Sequence, residues 1–299
     1  MEAEITVAER LRLRLGELTQ AERKVMRTLM ADYPVGGLEP VAKLAAAAGV
    51  SPPTVVRLTV KLGFESYAGF QQSLKSEMSA RLSSPLQMHA ERPGTAREGA
   101  LLHSERLLCD GIRSSFARLP PGEFEQAISL LADTRRSVTL IGGRFSTMLA
   151  EYLAAHLKIL RSRVQVLSAA GPDRVSAMLD VGRRDVFVAF DYRRYQHDTV
   201  YLALTAKERG ATLLAFTDPY LSPLAARADV ILTSSVQSPS PFDALTPAVA
   251  LVEALIAALV DRLDDKPRAR MARYDALNGG LVGGTSGRPR GEGEARDDG

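Results

Sequence analysis

The stretch Val41–Phe64, VAKLAAAAGVSPPTVVRLTVKLGF, decides how the N-terminal part of the chain folds. It carries two short helical patterns joined at Gly49, the second opened by Ser51-Pro52-Pro53 and closed by Gly63. Pro52 and Pro53 fit a helix start, where the missing amides have no intrahelical partner to lose. Val55, Leu58 and Leu62 share one face for burial, and Thr54, Arg57 and Lys61 are expected along the opposite one. A hydroxyl, a guanidinium and an ammonium in one stripe suit base edges and phosphates in a DNA major groove. Ser51 can cap the helix and turn its first amides toward a phosphate. The pattern predicts a helix-turn-helix that contacts double-stranded DNA through Ser51, Pro53, Thr54, Val56, Arg57 and Lys61. The competing reading of the same residues is a solvated face in a small helical bundle.

Working outward, Thr19 and Glu22 have capping-box spacing, so a helix is expected to start there with Val25, Leu29 and Met30 on its apolar face. Pro34 and Gly36-Gly37 end it, and Val41, Leu44 and Ala45 begin the next. Lys24, Arg27, Lys43, Lys75 and Arg81 are candidates for phosphate contacts that ignore sequence. The all-α domain is placed at residues 1–82 and a linker with a connecting helix at 83–121. Within it, Ser83–Gly99 collects Ser, Pro, Gly and charge, whereas Ala100–Leu119 regains helical spacing and is expected to pack across a dimer. An α/β domain follows at 122–263 and a tail at 264–299, with disorder expected from Gly279.

The composition of the 299 residues, 45% hydrophobic and 24% charged, is that of soluble globular protein, and the net charge of +3 decides little about partners. One cysteine, Cys109, excludes an internal disulfide framework. No run of transmembrane length or secretory pattern is read, so a cytoplasmic, nucleoid-associated protein without a membrane partner is expected. The four histidines and the cysteine show no metal-ligand spacing, and neither a metal nor a cofactor is expected. No Ser-His-acid arrangement is visible, and no catalytic residue is assigned.

From Gly122 on, FEQAISLLAD reads as helix, SVTLIGG as strand and RFSTMLAEYLAAHLKIL as helix. RVQVL, DVFVAF, ATLLAF and DVILT recur as short β-rich runs between helical segments, which predicts a doubly wound parallel sheet. Such sheets bind ligands at the carboxyl ends of their strands, here the turns Gly142–Thr147, Leu167–Asp173, Asp191–Asp198 and Thr217–Ser222. Gly142, Gly143, Arg144, Ser146 and Thr147 form a candidate anion cradle, although the turn lacks the GxGxxG that a dinucleotide requires. Arg193 and Arg194 offer two guanidiniums to a carboxylate or phosphate, or to a subunit contact.

The segments LTQAERKVMRTL, VAKLAAAAGVSPPTVVRLTVKLGFESYAGFQQSL, IGGRFSTMLAEYLAAHLK, DVFVAF, TAKERGATLLAFTD and SPLAARADVIL together resemble the RpiR/MurR-type bacterial transcriptional regulators. That family joins an N-terminal helix-turn-helix to a C-terminal sugar isomerase (SIS) domain, and the resemblance spans most of residues 10–263. It implies operator binding by the first domain, and dimerisation (or tetramerisation) with sensing of a phosphosugar or related metabolite by the second. Paired second domains would then set two readers on an inverted-repeat operator. The family's Ser-x-Ser-Gly-x-Thr turn corresponds here to Phe190-Asp191-Tyr192-Arg193-Arg194-Tyr195, so the hydroxyl cradle is missing and a small anionic effector read by charge is expected. Of the family's phosphate-holding groups, Ser146 and Thr147 carry over, with Ser168 and Ser222 as looser candidates. Val56 stands where a small polar residue is common, and its methyls suit thymine. Two alternatives remain: a SIS-type sugar-phosphate isomerase, with Glu253, His156 and His197 as base candidates, and a SIS domain that serves only oligomerisation.

Overall fold

The computed structural model describes residues 5–90, 99–167, 172–263 and 265–282. The N-terminal domain contains α1 (Val7–Leu13), α2 (Gln20–Ala31), α3 (Val41–Ala48), α4 (Pro52–Lys61) and α5 (Tyr67–Leu82). The Thr19–Glu22 capping box forms as its spacing predicts: Glu22 N donates to Thr19 Oγ1 at 3.3 Å and Thr19 N to Glu22 Oε2 at 2.8 Å. A second box, Thr6 with Glu9, starts α1. Gly49 ends α3 with φ 62° and Gly63 follows α4 with φ 89°, the left-handed conformations that a side chain would strain. Val25, Leu29, Leu44, Val55, Leu58 and Leu62 close one core with Phe70 and Leu74 of α5.

The joint holds more structure than its composition implies. Ser84 and Gln87 form a reciprocal cap, with bonds of 2.8 and 3.2 Å, that starts α6 (Pro85–Ala90) inside the expected linker; residues 91–98 lie outside the described ones. The predicted connecting helix is α7 (Ala100–Arg118), and it packs within its own chain. Gly111 lets it close on the last helix of the second domain, since an added Cβ would stand 3.2 Å from Pro247 Cγ.

That domain runs α8 (Pro121–Ala132), β1 (Ser137–Gly142), α9 (Thr147–Leu160), β2 (Val164–Val166), α10 (Pro172–Ala177), β3 (Asp185–Phe190), α11 (His197–Glu208), β4 (Thr212–Thr217), β5 (Val230–Thr233) and α12 (Thr246–Leu263). Its five strands are all parallel in the order β2-β1-β3-β4-β5. β1, β3 and β4 are buried almost throughout, which a parallel sheet covered on both faces requires. Leu153 and Leu157 of α9 with Leu251 and Leu255 of α12 cover one face, and Leu202, Ala203 and Ala206 of α11 cover the other. The tail begins as α13 (Asp265–Val282), held to α9 where Arg270 Nε donates to Lys158 O at 2.9 Å. The helix thus passes Gly279, where loss of structure was expected, and residues 283–299 lie outside the described ones.

The N-terminal domain rests on the carboxyl edge of β3, β4 and β5. Thr6 Oγ1 donates to Pro219 O at 3.0 Å, and Arg12 pairs with Glu123 at 2.9 Å while donating to Ile231 O at 2.6 Å. In this strand order the crossovers leaving β1 and β3 go to opposite sides, which opens a crevice above Gly142 and Phe190. Gly142 is required there because a Cβ would come within 2.5 Å of the backbone of Thr147. Gly142→Ala is expected to destabilise the domain by about 1–3 kcal/mol, read as a lower denaturant midpoint at unchanged slope.

Candidate functional site

The crevice is a cavity of about 790 Å³. Two of the turns singled out in the sequence meet in it: Gly143, Arg144 and Ser146 from the β1–α9 turn, and Arg193, Arg194 and Gln196 from the β3–α11 loop. Phe145, Met148 and Phe242 add exposed apolar surface at its mouth. Ser146 is turned inward, accepting from Gly143 N at 2.9 Å and donating to Phe190 O at 2.7 Å. Thr147 opens α9, and its hydroxyl is buried without a hydrogen-bond partner among the described residues. Gly142 shapes the turn from below. Ser222 sits under the loop, bonded to Asp191, and Ser168 lies outside the described residues.

The two guanidiniums of the loop differ in their surroundings. Arg193 is buried, pairs with Asp243 and donates to Ala80 O of α5 at 3.1 Å. Burial alone would lower its pKa, but the hydrogen bond and charge of Asp243 outweigh this and hold it above the ordinary value. Arg194 adopts φ 65°, a backbone region disfavoured for any residue but glycine, and its exposed guanidinium stands 3.4 Å from Asp243. Arg193 is therefore a brace between the cavity wall and the N-terminal domain, while Arg194 and Arg144 keep exposed side chains at the cavity. Sequence alone could not separate them, because Asp243 lies fifty residues downstream.

Beneath the loop lie two buried carboxylates that sequence reading missed. Asp191 accepts from Gln196 N at 3.1 Å and from Ser222, and burial raises its pKa to about 7 against those bonds. Asp218 accepts from Tyr195 OH at 3.0 Å and from Tyr220 N at 2.9 Å, and burial raises it to about 6. The only available signal was position, each acid following a strand at its carboxyl end. Glu253, His156 and His197 do not figure among the described residues lining the cavity; Glu253 instead accepts from Tyr152 OH. Among the described residues no group of three side chains could hold a metal.

On α4 the structure rearranges the expected stripe. Thr54 is buried, and its hydroxyl accepts from Arg57 Nη2 at 3.2 Å and bonds Ser51 Oγ at 3.0 Å. Ser51 occupies the cap position, yet its hydroxyl bonds Thr54 rather than a helix amide. Lys61 turns back to Glu22 at 3.0 Å and Glu17 O at 2.7 Å. At about 100° per residue Thr54 and Lys61 both fall on one shoulder of the face that Leu58 centres. The exposed face consists of Pro53, Val56, Arg57 and Val60, with the two valines 39% and 57% exposed. Arg81 also leaves the candidate phosphate contacts: it donates to Tyr33 O at 2.9 Å and lies over the Tyr195 ring.

Two family models match separate parts of the chain. Residues 5–81 match the helix-turn-helix domain model of the rpiR family, and residues 130–258 match the SIS domain model. The chain is therefore a member of the RpiR family, a helix-turn-helix domain joined to a SIS domain. It is 28% identical to the HTH-type transcriptional regulator HexR of Pseudomonas aeruginosa, over 70% of this chain and 72% of that one. It is 29% identical to the bifunctional protein glk of Burkholderia mallei over 77% of its own length, but spans only 35% of that protein. Among solved structures, the sugar isomerase domain of an RpiR transcription factor from Sphaerobacter thermophilus superposes with a TM-score of 0.56 at 25% identity, covering 59% of this chain and 98% of that one. The NanR protein of Vibrio vulnificus, solved with ManNAc-6P, shares the fold over 92% of this chain and 98% of its own at a TM-score of 0.53 and 16% identity. No helix among the described residues is long and apolar enough to cross a membrane.

Because Asp191 and Asp218 are raised above the 3.8 of an ordinary aspartate, the folded chain keeps protons that the unfolded chain has released. Their contribution to stability is full below that value and is lost as pH rises through about 6 for Asp218 and about 7 for Asp191. Asp191→Asn with Asp218→Asn is expected to flatten the fall in stability between pH 4 and pH 7, measured by denaturant unfolding across that range.

Proposed function

We propose that this chain is a DNA-binding transcriptional regulator whose SIS domain dimerises and senses a small anionic metabolite, a sugar phosphate or another acidic compound, to control operator binding. The observation that carries this reading is the mounting of the DNA-reading domain on the cavity itself. The loop that walls the cavity holds α5 through the Arg193 bond to Ala80 O and through Arg81 over Tyr195, so a ligand that moves the loop moves the reader. Arg144 and Arg194 give the cavity its preference for anions. Paired SIS domains set two copies of α4 against the half-sites of an inverted repeat, with Arg57, pre-set by Thr54, at the base edges. A ligand that favours one dimer geometry by about 1.4 kcal/mol shifts operator affinity tenfold. The chain is assigned no turnover, because none of the base candidates is among the described residues lining the cavity and both oxygens of Asp191 already accept hydrogen bonds.

The test is footprinting of the DNA upstream of the gene and its neighbours at fixed salt with nonspecific competitor. A protected inverted repeat is expected, and an absence of protection at concentrations that leave competitor unbound would overturn the reading. Arg57→Ala should weaken the protected site by about 1–3 kcal/mol while leaving nonspecific binding nearly unchanged. Replacing the buried pair together, Arg193→Gln with Asp243→Asn, avoids stranding a charge and should preserve operator binding but abolish its response to the effector.

A further inference from the structure

The turn that opens α9 points backbone amides at the cavity, and the chain's own groups are already bonded to them. Gly143 N donates to Ser146 Oγ at 2.9 Å, and that hydroxyl passes its hydrogen to Phe190 O, so Ser146 is tied into the fold. Arg144 N donates to Gln196 Oε1 at 2.9 Å. The Gln196 side-chain amide lies close against Gly143, where an added Cβ would meet its Cδ and Oε1 at 3.2 Å. A side-chain carbonyl thus sits where an oxygen of an entering anion would take the same amide.

Resting on the reading of this cavity as an anion site, we propose that Gln196 is a built-in competitor of the effector, which must displace the Gln196 amide oxygen from Arg144 N to bind. The exchange favours a charged ligand. A hydrogen bond to an ionised oxygen is roughly twice as strong as one to a neutral amide, so a phosphate or carboxylate wins the position while a neutral sugar hydroxyl does not. Gln196 therefore acts as a specificity filter as well as a plug. It also ties the event to the rest of the chain: its own N–H donates to Asp191 Oδ1 at 3.1 Å, it caps α11, and it follows the Arg193-Arg194-Tyr195 segment that holds α5. Release of its side chain frees the end of the loop nearest that attachment.

The experiment is titration of the full chain with inorganic phosphate by calorimetry, for the parent, Gln196→Ala and Gln196→Glu, with thermal unfolding to confirm that each is folded. Removing the competitor should tighten phosphate binding about fivefold to tenfold, the worth of one neutral hydrogen bond. Gln196→Glu places a fixed carboxylate at the amide and should weaken binding by at least as much. Binding by Gln196→Ala that equals or falls below the parent's would overturn the proposal and make Gln196 a bystander or a direct ligand contact. If no folded variant takes up phosphate, the anion-site reading fails and the proposal with it.

Discussion

The buried guanidinium of Arg193 is the constraint on which the arrangement of the two domains depends. A cation withdrawn from water is costly unless it is paired and its donors are used, and here Asp243 supplies the charge while Ala80 O of α5 accepts a further hydrogen bond. Satisfying that one side chain fixes three elements together: the β3–α11 loop, the segment carrying Asp243 and the last turns of α5. The cavity wall and the mount of the DNA-reading domain are consequently the same piece of chain. Arg81 over Tyr195 and Thr6 on Pro219 extend the seam along the strand ends.

Beneath the seam, polar groups at the carboxyl ends of the strands bond one another, although Asp218 Oδ2 is buried without a hydrogen-bond partner among the described residues. Asp191 takes Ser222 and the Gln196 amide, Asp218 takes Tyr195, and Tyr192 bonds Ser234 at 2.9 Å. In a low-dielectric setting such a network is rigid only while each member keeps its partners. That gives the loop two faces with different duties, a fixed floor of buried carboxylates and an outer wall on which Arg194 and Gln196 meet the cavity. The sheet order supplies the opening, and the six-residue β3–α11 loop walls one side of it.

Much of the fold was legible because it rests on local rules. The capping box at Thr19, the glycine turn at Gly49 and the strand runs DVFVAF and ATLLAF each specify their element from neighbouring residues, and all formed where expected. The reading failed where a side chain's role depends on a distant partner or a small angle. Thr54 and Lys61 lie on the edge between the buried and exposed faces of α4, so spacing alone could not tell that one would brace Arg57 and the other would reach Glu22. Arg193 and Arg194 are adjacent and chemically identical, and both pair with Asp243, yet the added bond to Ala80 O of α5 draws one inward while the other stays exposed. The Ser84–Gln87 cap shows the opposite error, a strong local signal hidden in a stretch whose composition resembles a linker.

The proposed switch requires that occupancy of the cavity be felt at the mount of the DNA-reading domain. Amide hydrogen exchange of the full chain, with and without saturating inorganic phosphate, measures this most directly. Exchange is expected to change both in the turn around residues 143–147 and in α5 near Ala80, across the Arg193 bond. A change confined to the turn, with α5 unaltered, would contradict it.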